Sequence, residues 1–177
     1  MPRITRQDVA QYEAELAEAL PGFAVLYKDE SRLQQTIARL IKPFNGRYMT
    51  DYTTVMFGRV YFPSRIWRRS VGPERIYATL RHEAVHLRDM RRFPVLFQLS
   101  YLFLLPGGLT VRAWWEWRAY AETLRVELEL TGQIPDHLIE HIAQRFTGAD
   151  YLFMWPFPRW IRRRLNRLRD QLIAESG

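Results

Sequence analysis

Apolar residues return at helical spacing over most of this chain. From Asp8 to Leu20, Val9, Tyr12, Leu16 and Leu20 share one face, and Glu13, Glu15 and Glu18 lie outside it. Pro21-Gly22 ends that segment, because proline lacks the amide a continuing helix needs. Ser31 is placed to cap a second helix reaching Leu40 or Ile41, which Pro43 terminates before an Asn45-Gly46 turn. Val71-Gly72-Pro73-Glu74 opens a third, with Pro73 early in the helix and Glu74 complementing its positive end. Ile76, Leu80, Ala84 (or Val85) and Leu87 then form its apolar stripe, and Phe93-Pro94 ends or kinks it.

Three further helices follow. One runs from Val111 to Leu130, capped by Thr110 after a Gly107-Gly108 turn and closed by Thr131-Gly132. Pro135-Asp136 opens the next, to about Phe146. The last, Arg159 to Ala174, puts Ile161, Leu165, Leu168 and Leu172 on one face with Arg162, Arg163, Arg164, Arg167 and Arg169 around them. Tyr151 to Pro158 is an aromatic connector.

Two stretches break the helical pattern. Phe23 to Tyr27 is a short apolar strand, and Arg47 to Phe62 is rich in strand formers (Tyr48, Tyr52, Val55, Phe57, Val60, Tyr61), interrupted by Gly58 and stopped by Pro63. This predicts one or two antiparallel strands from Arg47 to Phe62. Val95 to Leu105 is apolar all round, which suits a buried helix or one packed on a membrane, and is about half the ~20 residues needed to span a bilayer. The expected fold is α+β and predominantly helical, with a small antiparallel sheet ahead of the Pro73 helix. No repeat or linker is visible, so one domain over residues 1–177 is expected.

Composition narrows the chemistry. A chain that is 47% hydrophobic with six tryptophans is built to fold around a core. It has no cysteine, which excludes disulfides, zinc fingers and iron–sulfur clusters, so any zinc must be held by histidine and carboxylate. The net charge is +7 and nearly all of the positive charge is arginine; Lys28 and Lys42 are the only lysines. Such a balance favours anionic partners, or reflects a general preference for arginine over lysine. The N-terminus lacks the apolar segment of a secretory signal, which gives the expectation of a cytoplasmic protein with peripheral membrane contact open to it.

The candidate chemistry lies in His82-Glu83-Ala84-Val85-His86, an H-E-x-x-H sequence within the third helix. Histidines four residues apart lie one turn apart on one face, so both rings can reach one ion. Glu83 sits about 100° round the helix, too far to be an easy third ligand but placed to touch water polarised by that ion. The spacing therefore reads as two zinc ligands and a general base; the competing reading is a coincidental pair of structural histidines. For the third ligand, Glu116, Glu122, Glu127 and Glu129 all lie on the Val111 helix. Glu116 stands out because Trp115 and Trp117 flank it, and a carboxylate among aromatics is costly unless a cation or donor satisfies it. Glu122, six residues on, lies on a different face.

Taken together, His82-Glu83-Ala84-Val85-His86 and the later Glu116-Trp117-Arg118-Ala119-Tyr120 resemble the small gluzincin-type zinc metallopeptidases. Their pattern is H-E-x-x-H followed by a glutamate on a later helix, often within Glu-x-x-Ala. Gly58-Arg59-Val60-Tyr61-Phe62-Pro63 is similar to the strand such domains place before the metal helix, where it usually borders the cleft and offers an edge to a peptide. The resemblance spans roughly Thr53 to Glu122. It implies a zincin-like fold, a zinc ion held by His82, His86 and Glu116, Glu83 as the base, and hydrolysis of a peptide or protein substrate. The metzincin pattern does not fit, because the position six residues after His86 is Arg92.

Other residues compete for roles. His137-Leu138-Ile139-Glu140-His141 is the inverted H-x-x-E-H order, but the downstream glutamate that order requires could only be Glu175. Tyr120, His137 and His141 are the candidate donors to a transition-state oxyanion, with Tyr120 taken as the catalytic partner of Glu83. Asp89 can orient a ligand or pair with Arg92. A different class of function is a binding module with a structural or vestigial metal site. There the Arg162 to Arg169 helix and the Trp155 and Trp160 aromatics would contact acidic membrane or, less in keeping with the pattern, nucleic acid.

Overall fold

The structure is a computed structural model that describes residues 3–43, 45–102, 106–148 and 154–176, with the side chains of 101, 102 and 106–110 left aside. The described chain is predominantly helical with one small sheet, and it groups into two compact units, residues 3–91 and 92–176.

The unit Arg3–Arg91 begins with α1 (Arg6–Ala19), which starts two residues before the Asp8 start expected from the pattern. The cause is a capping box: the Thr5 hydroxyl accepts from the Asp8 amide, and the Asp8 carboxylate accepts from the Thr5 amide at 2.7 Å. Strand β1 (Val25–Tyr27) follows, then α2 (Arg32–Ile41), whose Ser31 cap accepts from the Gln34 amide as expected. Strands β2 (Thr54–Met56) and β3 (Arg59–Phe62) form a hairpin whose two-residue turn has positive φ at both Phe57 (51°) and Gly58 (76°). That is the primed turn whose twist matches paired strands, with a phenylalanine where asparagine or glycine is usual. Residues 47–51, read as strand from their aromatics, form turns instead.

The sheet order is β1-β3-β2, with β2 antiparallel and β1 parallel to β3. The expectation of an antiparallel sheet is therefore corrected to a mixed one. The segment from α2 to β2 carries the chain far enough for β3 to return alongside β1 in the same direction, a crossover a tight hairpin cannot make. A short helix absent from the sequence reading, α3 (Arg65–Ser70), is capped by the Ser64 hydroxyl on the Trp67 amide at 3.0 Å. Helix α4 (Pro73–Arg92) carries the H-E-x-x-H sequence. Its Ile76, Leu80 and Leu87 pack with Val9 of α1 and Val60 and Phe62 of β3 into one core. Burying such side chains is worth about 1.5–3 kcal/mol each, which fixes the rotation of α4 about its axis.

The other unit contains α5 (Pro94–Leu102), α6 (Pro106–Thr131), α7 (Asp136–Thr147) and α8 (Pro158–Ser176). Helix α6 begins at Pro106, so Thr110 and the Gly107-Gly108 pair lie inside the helix instead of at its start. Proline is preorganised for a first helical turn, and two glycines cost about 1 kcal/mol each, a penalty a 26-residue helix absorbs. Gly132 closes α6 at φ 75°, with its amide donating to the Leu128 carbonyl at 2.8 Å. The core joins Leu124 of α6, Ile139, Ile142 and Phe146 of α7, and Ile161, Leu165 and Leu172 of α8. Helix α5 is not buried all round: Phe97 and Ser100 face inward, whereas Val95, Leu96 and Leu99 are exposed. Part of the aromatic connector, residues 151–153, lies outside the described residues.

Candidate metal centre

Because the apolar stripe of α4 is held against the core of its unit, the positions beside that stripe are fixed in direction. His82 is half-buried and His86 is buried, with ring centroids 5.0 Å apart and planes at 76°. Glu83, between them in sequence, is also buried. A carboxylate removed from water needs a compensating charge or donor. One compensating charge comes from Lys28, just past the end of β1.

Lys28 was not legible as a functional residue, yet it is among the largest fully buried side chains. Its Nζ donates to the Tyr48 carbonyl at 2.7 Å and stands 3.6 Å from the centre of the Tyr48 ring. Tyr48 in turn donates from its hydroxyl to Gln34, itself fully buried on α2. Burial pulls the Lys28 pKa down to about 7, and the negative charge of Glu83 pushes back against that fall. The signal in the sequence was the lysine itself, one of two in a chain that otherwise uses arginine. Arginine stays charged under these conditions, whereas lysine can release its proton when buried.

Glu116 on α6 is buried beside Trp115, which is itself almost fully enclosed by Phe93 and Phe97. The Trp115 indole donates to the Ser100 hydroxyl at 3.1 Å, so its ring is held at both its polar and its apolar edges. His82, His86 and Glu116 each offer one ligand atom, and these atoms lie within 4.8 Å of one another. Two imidazoles and one carboxylate are side chains of the kind that could hold a metal ion. Among the described residues this is the group of three or more such side chains able to hold a metal.

The remaining candidates are placed as follows. Glu122 is half-buried and pairs with Arg125 at 3.5 Å, six residues along α6 from Glu116 and outside the ligand group. Tyr120 is half-buried with its ring against Phe146 at 5.7 Å. The inverted motif is not assembled as a site: His137 and His141 are exposed, and Glu140 accepts from Arg162 through two 2.7 Å hydrogen bonds. That pairing holds the Glu140 carboxyl below its ordinary pKa. Asp89 is buried on α4.

The arginines of α8 are partly committed within their own unit. Arg162 binds Glu140, Arg169 binds Asp136 at 2.5 Å, and Arg164 lies over the rings of Trp117 and Trp160. On the other side of the chain's chemistry, β3, the strand nearest in sequence to α4, is the centre of its sheet, so only β1 and β2 present edges.

Fold and site together define a class: a predominantly helical α+β chain with a small mixed sheet ahead of an H-E-x-x-H helix, carrying a His/His/Glu group. No protein-family profile, no curated protein and no solved structure matches the chain.

Proposed function

We propose that this chain is a zinc-dependent metallopeptidase of the gluzincin type, with a zincin-like arrangement of sheet and metal helix. The observation that carries the reading is the convergence of one ligand atom each from His82, His86 and Glu116 within 4.8 Å. Zinc held by these three residues would act as a Lewis acid and lower the pKa of water at its open position towards 7.

The chain's own residues supply the rest. Glu83, one residue from His82 and buried, accepts a proton from the attacking water and passes it to the leaving amine. The charge of Glu83 acts in turn on the buried Lys28 ammonium and opposes the fall of its pKa. Tyr120 is the proposed donor to the oxyanion that develops on the substrate carbonyl. An extended peptide is the substrate class, with the β1 or β2 edge offering backbone hydrogen bonds.

The deciding experiment measures zinc by mass spectrometry in the untagged protein and in a His82→Ala, His86→Ala double variant, alongside a peptide-library cleavage assay. The expected result is one zinc per chain, lost in the double variant, with cleavage that disappears in Glu83→Gln while zinc is retained. Absence of zinc after reconstitution would end the reading.

A further inference from the structure

We propose that the outer face of α5 is a docking surface for a membrane containing acidic lipids, a role independent of the metal reading. Helix α5 is two-sided. Its inner side is anchored: Phe97 is buried against Trp115, and the buried Ser100 hydroxyl accepts from the Trp115 indole and donates to the Phe97 carbonyl at 2.7 Å. Its outer side is apolar and open, with Val95 69%, Leu96 49% and Leu99 41% exposed. Val95 and Leu99 lie one turn apart with Leu96 beside them, so the three make one continuous patch. Among the described side chains of that side, the polar one is the uncharged Gln98.

Scattered exposed leucines need no explanation, but a contiguous helix face without charge does. The surroundings favour lipid over a protein partner. Exposed Arg92 stands at the N-terminal border of the helix with its guanidinium over the Phe93 ring. Between Arg92 and Arg112 the sequence contains no charged residue. On α6, half-exposed Trp114 meets Trp115 edge to face and carries the Arg118 guanidinium 5.2 Å above its ring. An apolar helix face with an arginine at its end and an exposed tryptophan on the neighbouring helix is a composition that settles at the boundary between acyl chains and headgroups, and the net charge of +7 draws it to acidic ones. No helix among the described residues is long and apolar enough to cross a membrane, so α5 lies in the interface and does not span it.

The test is sedimentation of the full chain with vesicles of phosphatidylcholine alone or with phosphatidylserine added, over a range of salt. Binding is expected to the phosphatidylserine vesicles, to weaken as salt rises, and to fall by at least about tenfold in a Leu96→Glu, Leu99→Glu variant, since each leucine kept in water forfeits roughly a tenfold gain. Both positions are exposed, so the variant should keep the wild-type circular dichroism. An Arg163→Gln, Arg167→Gln variant on α8, which lowers the net charge by the same two units as the α5 variant, should bind within a few-fold of wild type. The proposal is overturned if the wild type stays in the supernatant, if the α5 variant binds like wild type, or if only the α8 variant loses binding. It is also overturned if the α5 variant abolishes a concentration-dependent dimer in vesicle-free solution, which would assign the face to a second copy.

Discussion

Lys28 offers the sharpest test of the energetics, because its burial has a calculable signature in stability against pH. In the folded chain its pKa is about 7, against 10.5 in an unfolded one. Below pH 7 both states hold the proton, and the folded state bears the whole cost of a buried ammonium. Between pH 7 and 10.5 the unfolded state holds more protons than the folded one, so stability must rise with pH through that window. The full shift corresponds to about 5 kcal/mol, and the part released between pH 7 and pH 9 is about 2 kcal/mol. Tyr12 and Tyr48 do not interfere, because burial raises both above their usual 10 and leaves them protonated at pH 9. Urea unfolding at pH 7, 8 and 9 should therefore show a rising free energy in the wild type and a flatter one in Lys28→Met. At pH 7 the variant loses a charge burial and a hydrogen bond to the Tyr48 carbonyl together, so the slope is the diagnostic and not the absolute stability. Equal slopes in the two proteins would show that Lys28 does not bear the charge cost its surroundings imply.

Three other perturbations check separate parts of the structure. Glu83→Gln should keep zinc and lower peptide cleavage by at least about 100-fold in steady-state kinetics, and loss of metal from that variant would contradict the base role. Phe57→Asn should stabilise the hairpin by about 1 kcal/mol in urea unfolding, because φ 51° is strained for phenylalanine and the 64% exposed ring contributes little packing. Leu165→Ala should cost about 2–5 kcal/mol, read as a lower thermal midpoint, since that side chain is fully enclosed in the α6–α7–α8 core.

What the sequence determined by itself was local. The 3.6-residue rhythm, Ser31 as a cap and the Pro73 start placed α2 and α4 to within a residue or two, because these features depend only on neighbours along the chain. The same rhythm put His82 and His86 on one face and set Glu83 between them. It erred where neighbours in space decide. The parallel pairing of β1 with β3 depends on a crossover that no strand signal contains, and the aromatics at 47–51 favour strand in isolation while Tyr48 instead covers Lys28. Helix α5 read as a buried helix or one packed on a membrane, because apolarity alone does not say which side a partner helix will cover; Trp115 packs on the Phe97 side, and Val95, Leu96 and Leu99 stay exposed. The tertiary structure alone also gave Lys28 its buried hydrogen bond to the Tyr48 carbonyl and its depressed pKa. Both are properties of what surrounds a charge once water has been removed, and a linear pattern holds no record of that.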